Sequence, residues 1–336
     1  MDMNSKRNIV LAFAAGLALS ACNTLVYDTE VPGECEVSVR FKYEYNMKYA
    51  DAFANEVKSM SLYAFDPVSG AFVAKTSDAG EHIGENQVFT FPSLRSGTYD
   101  LVAWCGLEDS EFTLDPPATK EEFFCRMNAR TKASHVMDKH LGALFYGYAD
   151  KVDLKLLPRG SENTVVIPLI KNTNSIRVML QALNSGTNLV PEEYDFIILD
   201  NNAVLNWKDE VPAVPVEVEY YPWDKRSGSV EYDDKDTRLT ACVAEFTVNR
   251  LFKRSTDKAR LLVVDKVTGT TVIDIPFVDY FLLVKGNYNR AMDDQEYLDR
   301  QDDYQITFFL DNRSGWSLAS GIFINGWHVV LMNTEF

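Results

Sequence analysis

Five cysteines and four histidines are the side chains here with most chemistry to offer. Cys35, Cys105, Cys125 and Cys242 include no C-x-x-C pair, so neither a zinc knuckle nor a thioredoxin-like site is indicated. In an exported chain they can form disulfides, Cys105 with Cys125 being nearest in sequence, but four cysteines allow three full connectivities, and each alone reads as a buried thiol. His135 and His140 are five residues apart, not the four that place a metal pair on one helix face, and with His82 and His328 they read as loop or surface residues. No G-x-S-x-G elbow, G-x-G-x-x-G turn or phosphate loop is present, so nothing marks a nucleophile or nucleotide site; no catalytic residue, metal or cofactor is expected. The acidic run Asp293, Asp294, Glu296, Asp299, Asp302 and Asp303 lacks the glycine and regular spacing of a calcium loop. With Tyr297, Leu298 and Tyr304 set among the acids, it reads as a solvated helix or loop. Of the five tryptophans, Trp104 lies in an apolar strand and reads as core. Trp223, after Tyr220-Tyr221-Pro222, is the most open to a stacking role.

The fifth cysteine, Cys22, has a different setting. Lys6 and Arg7 precede an apolar run from Ile9 to Leu19, followed by Leu19-Ser20-Ala21-Cys22. A charged start, an apolar middle and small residues at the end make a secretory signal, and about a dozen apolar residues fall short of the roughly 20 a membrane-spanning helix needs. Small residues leading into a cysteine resemble a bacterial lipobox. On that reading the Cys22 thiol is acylated and Cys22 becomes the first mature residue. Asn23 in place of Asp favours the outer membrane.

Hydrophobic residues make up 46% and aromatics 12% of the sequence, enough for a proper core, so the chain is globular rather than a disordered tether. A net charge of −16 repels phosphate backbones and anionic lipid, which argues against nucleic acid and leaves the lipid as the membrane attachment.

The elements that must position these residues read as strands. Residues 23–34 are rich in turn formers and acids and make a tether. From Cys35 to Tyr45, Val37, Val39, Phe41, Tyr43 and Tyr45 alternate with polar residues, a period of two that gives a strand with one wet face. Tyr49–Glu56 reads as a short helix, and Val57–Phe65, Ala71–Lys75, Gln87–Phe91 and Thr98–Trp104 as strands. Thr119 with Glu122 forms a capping box, predicting a helix that carries Phe123, Phe124 and Met127 to the core. Two strands follow, Ala143–Tyr148 and Lys151–Leu157. Pro158-Arg159-Gly160-Ser161 is the expected boundary, before Val165–Ile170. The second half continues with Ile176–Leu183, Glu193–Leu199, Val216–Tyr220, Thr240–Val248, Arg260–Asp265, Thr270–Ile275 and Tyr304–Leu310. It ends on Gly321–Ile324, the turn Asn325-Gly326 and Trp327–Met332. Asn-Gly between apolar runs is a strong hairpin signal because both residues tolerate positive φ. The expectation is an all-β chain of two tandem β-sandwiches with one or two short helices: 1–21 signal, 22–34 lipidated tether, 35–160 and 161–336 the two sandwiches.

Several strings in this order resemble the FimB-type fimbrial anchor lipoproteins of anaerobic Gram-negative bacteria. They are the lipobox, V-K-S-M-S-L-Y-A-F-D (Val57 to Asp66) followed by Phe72-Val73, G-T-Y-D-L-V-A-W (Gly97 to Trp104) and K-N-T-N-S-I-R-V (Lys171 to Val178). Y-L-D-R-Q-D-D-Y-Q-I-T-F-F-L (Tyr297 to Leu310) and I-N-G-W (Ile324 to Trp327) complete the set. The resemblance implies transthyretin-like or Ig-like β-sandwich domains and a non-enzymatic anchor at the base of a fimbrium. Its lipid would hold it in the outer membrane, exposed at the surface, while its body docks the shaft and limits shaft length. The one position carried over is Cys22. Subunits of this kind join when an extended segment of one completes a sheet of its neighbour. The final strand, with Trp327, Val329, Val330, Leu331 and Met332, is the candidate docking element; equally, the hairpin could complete its own sandwich. The alternatives are a glycan-binding surface lipoprotein and a shaft or tip subunit of the same superfamily.

Overall fold

The computed structural model describes residues 37–79, 88–91, 94–128, 135–156, 163–231, 238–286, 289–316 and 321–329. Its first half contains β1 (Val37–Lys42), α1 (Phe53–Glu56), β2 (Ser59–Phe65), β3 (Phe72–Ala79), β4 (Phe89–Thr90), β5 (Gly97–Cys105), β6 (Phe112–Leu114), β7 (Cys125–Met127), β8 (Val136–Met137), β9 (Phe145–Leu154) and β10 (Asn163–Lys171). The second half contains β11 (Asn174–Ala182), β12 (Tyr194–Asp200), β13 (Val204–Leu205), β14 (Val218–Tyr220), β15 (Asp224–Glu231), β16 (Arg238–Val248), β17 (Arg260–Asp265), β18 (Thr270–Ile275), α2 (Phe277–Leu283), α3 (Asp294–Arg300), β19 (Asp303–Leu310), β20 (Ile322–Ile324) and β21 (Trp327–Val329). The all-β class holds, with three short helices among the described residues where one or two were expected.

The first sheet has the order β3-β2-β5-β9-β10-β1-β4. β5 explains its centre. Leu101, Ala103 and Cys105 point into one apolar cluster with Val37, Val39, Phe41 and Phe53, whereas Val102 and Trp104 point into another. A strand covered on both faces reads as a continuous apolar run, which is what L-V-A-W-C is. β10 pairs in parallel with β1 over 163–168 and antiparallel with β9 over 169–171, changing partner next to Pro168.

Four expectations are corrected here. The two strands expected at 143–157 are one strand, β9: a register shift between Tyr99 and Leu101 and a left-handed Lys151 (φ 47°) absorb the polar interruption, and the Asp100 side chain accepts from the Lys151 N–H at 3.0 Å. The capping-box helix at Thr119 is a single 3-10 turn, Lys120–Glu122, with no side-chain cap bond. Lys120 is instead drawn inward to pair with Asp100, and β7 follows because β6 and β13 offer it ladders on both sides. Phe123 and Met127 are buried all the same. The helix expected over Tyr49–Glu56 is reduced to α1, since the left-handed Tyr49 (φ 52°) keeps the chain out of helix until Asp51, whose side chain accepts from the N–H groups of Phe53 and Tyr43. Finally, the expected boundary motif 158–161 lies outside the described residues, and the strand after it, β10, belongs to the first sheet. The chain leaves that sheet at Asn172 and Thr173.

The second half stacks a six-stranded sheet, β15-β16-β11-β19-β20-β21, on a five-stranded one, β18-β17-β12-β14-β8. Ile176, Val178 and Leu180 of β11 face Phe196, Ile198, Leu261 and Val263 in one cluster. The residues between β5 and β9 bind the halves together. From this insertion β7 pairs with β13, and β8 pairs in parallel with β14. One apolar cluster accordingly runs from Trp104 and Phe123 to Leu205 and Tyr220.

Candidate functional site

The C-terminal hairpin is built from the turn outward. Asn325 (φ 48°) and Gly326 (φ 81°) both occupy the left-handed region, as a two-residue hairpin turn requires. Asn325 also ties the turn to β19: its N–H donates to the Gln305 carbonyl at 2.9 Å and its Oδ1 accepts from the Gln305 N–H at 2.8 Å. At the entry to β20, Gly321 (φ 70°) lies so close to β21 that a Cβ would sit 2.6 Å from the Val329 carbonyl oxygen.

The two strands of this hairpin differ in role. β20 completes the sheet, with Ile322 and Ile324 fully buried. β21 forms the sheet's outer edge among the described residues. Trp327 lies opposite Ile324, so it sits on the core-facing side of the sheet, yet it is 66% exposed. On the outer face Phe309 meets Phe323 edge-on at 5.7 Å, and Phe323 stacks on His328 at 4.7 Å. The edge thus presents a large uncovered indole on one side and an aromatic ladder on the other. Val330, Leu331 and Met332 lie outside the described residues, as do Cys22, Leu19, Ser20, Ala21, Cys35 and His82.

The acidic run forms α3, capped by Asp293, whose side chain accepts from the Glu296 N–H at 2.9 Å. Its carboxylates meet cations: Asp294 meets Lys285 at 3.1 Å, Glu296 meets Arg300 at 2.8 Å and Asp302 meets Lys171 at 2.6 Å. Asp299 takes a bidentate bond from Arg250 at 2.8 and 2.7 Å and is buried, so at this residue the expected solvated face is instead packed. Arg250 also binds Asp209 at 2.7 Å, and Asp209 accepts from Asn172 between β10 and β11. Burial pushes the Asp209 carboxyl up to about 7 against the pull of Arg250. Lys171 meets Glu56 of α1 at 2.9 Å as well as Asp302; burial lowers its affinity for a proton, but the two carboxylates outweigh that and raise it. Arg300 lies over the Tyr45 ring at 4.0 Å and the Tyr49 ring at 4.8 Å. These contacts brace the junction between the halves. Sequence reasoning misses them because the partners are far apart along the chain, although the K-N-T-N string marks the place.

The remaining reactive groups do not converge. Cys105, Cys125 and Cys242 are buried free thiols; burial raises all three, Cys242 to about 12. His135 precedes β8, while His140 meets Trp223 edge-on at 5.3 Å. An open cavity of about 670 Å³ beside β12 and β14 is lined by mixed charges, among them Asp200, Glu217, Asp257, Lys258 and Arg260. Among the described residues, no helix is long and apolar enough to cross a membrane, and no three His, Cys, Asp or Glu residues are placed to hold a metal ion.

The fold has solved relatives. A candidate adhesin from Bacteroides thetaiotaomicron matches with a TM-score of 0.77 and 28% identity, covering 88% of this chain and 98% of that one. A candidate polysaccharide-binding protein from the same organism matches with a TM-score of 0.73 and 28% identity, over 89% and 99% of the two chains. The fimbrial anchor protein Mfa2 from Porphyromonas gingivalis shares the fold, with a TM-score of 0.63 and 19% identity over 88% and 98%. No curated relative matches the chain. The family model for the fimbrillin-A associated anchor proteins Mfa1 and Mfa2 matches residues 32–333, most of the chain, and the protein therefore belongs to that family of fimbrial anchor proteins.

Proposed function

We propose that this chain is a non-enzymatic fimbrial anchor subunit, held in the outer membrane by acyl groups on Cys22 and docking a fimbrial shaft subunit at its C-terminal edge. The observation that carries the docking half is β21 itself: an edge strand whose core-facing Trp327 is left 66% exposed. An extended segment from a shaft subunit could add to this edge through main-chain hydrogen bonds, with a side chain covering the indole. The lipobox carries the tethering half. One acyl chain binds membranes only reversibly and more than one anchors stably, at about 0.8 kcal/mol per buried methylene. Shaft-length limitation follows if the docking edge ends polymerisation at the membrane. Deleting Trp327–Phe336 tests docking: the truncated protein should fold and stay membrane-bound while fimbriae detach. Fimbriae still attached to a folded truncation would overturn it.

A second reading, a glycan-binding surface lipoprotein, draws on the candidate polysaccharide-binding relative and on Trp223, which is 45% exposed. A flat sugar platform needs several aromatics in one row. Trp223 and Trp327 belong to opposite edges of the six-stranded sheet, about 24 Å apart at the usual strand spacing, so they do not form one. Binding to a glycan array that is lost in Trp223→Ala would favour this reading.

A further inference from the structure

Among the described residues most pairings are antiparallel, but the two parallel ladders longer than two residues follow one another along one stretch of chain. β1 pairs with β10 over six residues, from Val37↔Asn163 to Lys42↔Pro168. β11 pairs with β19 over eight, from Ser175↔Asp303 to Ala182↔Leu310. β10 passes into β11 through only Asn172 and Thr173, with no turn between them, so residues 163–182 form one long spine through both halves. β1 lies along the beginning of this spine and β19 along its end. β20 runs back against β19 and β21 runs forward again. The chain thus enters at one end of the spine, at Val37, and leaves near the other, beyond Val329.

We propose that these ladders form the tension-bearing path of the protein, loaded in shear between the N-terminal tether and the C-terminal edge. This rests on the anchor reading above, which places the membrane at one end and the shaft at the other. A pull at Val37 acts on the start of β1, while the opposing pull reaches β10 through its far end at Lys171. Parallel strands loaded at opposite ends must slide past one another, so their hydrogen bonds stretch together; strands loaded at the same end unzip bond by bond. The same holds for β11, pulled at Asn174, and β19, pulled toward Leu310.

Two further features suit this role. Each ladder is sheltered from water on one face: Val37, Val39 and Ile167 in the first, and Val178, Leu180, Ile306 and Phe308 in the second, are fully buried, whereas Arg40, Lys42, Thr164 and Val166 leave the other face of the first ladder exposed. From the covered face water cannot readily replace a stretched hydrogen bond. The spine is also braced where it passes between the halves. Lys171 is held by Glu56 and Asp302, and Asn172 donates to Asp209, which Arg250 links to Asp299. Buried polar residues at 172–174 thereby lock the point where the two ladders meet.

Single-molecule pulling tests this by changing only the direction of load. The full chain downstream of residue 22 is stretched between its C-terminus and a handle on the N-terminal side of Val37, then between its C-terminus and a handle at the exposed Lys48 as Lys48→Cys. The second geometry loads β1 from its Lys42 end, beside the exit of β10, and takes its ladder out of shear. The first unfolding event is expected at a higher force in the first geometry, because the β1–β10 ladder is in shear only there while the β11–β19 ladder is in shear in both. A first-geometry force equal to or below the second would overturn the proposal. No lipid or shaft subunit is used, so a weak first geometry in a protein that still anchors fimbriae refutes the tension path alone. A strong first geometry in a chain found not to be acylated refutes the anchor reading alone.

Discussion

Replacing Arg250 by methionine isolates the brace between the halves. The guanidinium makes two bonds to Asp299 and two to Asp209, through its carboxylate and its backbone carbonyl, and both acids are buried. Methionine fills similar volume but leaves two carboxylates without their cation. Breaking a buried pair in this way costs about 3–5 kcal/mol, against about 0–1 kcal/mol for an exposed bridge. In a chain of this size that corresponds to a fall in Tm of roughly 5–8 °C, if the halves unfold together. The pH dependence has a definite sign. Burial already holds the Asp209 carboxyl above its ordinary range with Arg250 in place, and losing that cation raises it further, so the folded state favours its protonated form and stability falls as pH rises toward neutrality. The deficit of Arg250→Met should therefore be larger at pH 8 than at pH 5. Adding Asp209→Asn and Asp299→Asn removes the stranded charges and should recover some of the loss. Urea unfolding of the three proteins, wild type included, at both pH values is the assay. A loss below 1 kcal/mol that does not change with pH would refute the account of the junction.

Two other groups give predictions of opposite character. Burial works against ionisation of Asp265, but the Ser314 hydroxyl, the Arg313 guanidinium and the Thr268 and Val267 N–H groups outweigh it and hold the carboxyl down to about 2. Its contribution is then present above about pH 4 and lost as pH falls through about 2, so the stability gap between wild type and Asp265→Asn in urea titrations should be constant from pH 7 to 5 and narrow below pH 4. Cys105, Cys125 and Cys242 are buried and held in the thiol form, so a thiol reagent at pH 8 should leave all three unmodified in the native protein and react with them in 8 M-range urea. Rapid labelling of any of them by mass spectrometry in the folded state would contradict their placement.

What is legible in the sequence follows the chemistry of each strand. β1 and β17 can be read because alternation or a β-branched run coincides with burial, and the Asn325-Gly326 turn because its backbone demands those residues. β15 is not legible. Its D-K-R-S-G-S-V-E sequence lies along a sheet edge, where the ladder to β16 supplies the stability and no apolar period is needed. Thr119 and Glu122 have the spacing of a capping box, but the long-range pair from Lys120 to Asp100 overrides it. The acids of α3 are legible as a charged run. Their partners, Lys171 and Arg250, are not, because only the fold brings them together. At the C-terminal edge, the hairpin is evident from sequence; that Trp327 faces the core side yet stays uncovered is visible only in the structure.

The proposed anchor holds the shaft to the cell through the lipid on Cys22, and this is measured most directly as the distribution of shaft protein between outer membrane and medium in a Cys22→Ala strain. The account predicts a folded anchor protein with fimbriae shed into the medium. Fimbriae that remain cell-bound in that strain would contradict it.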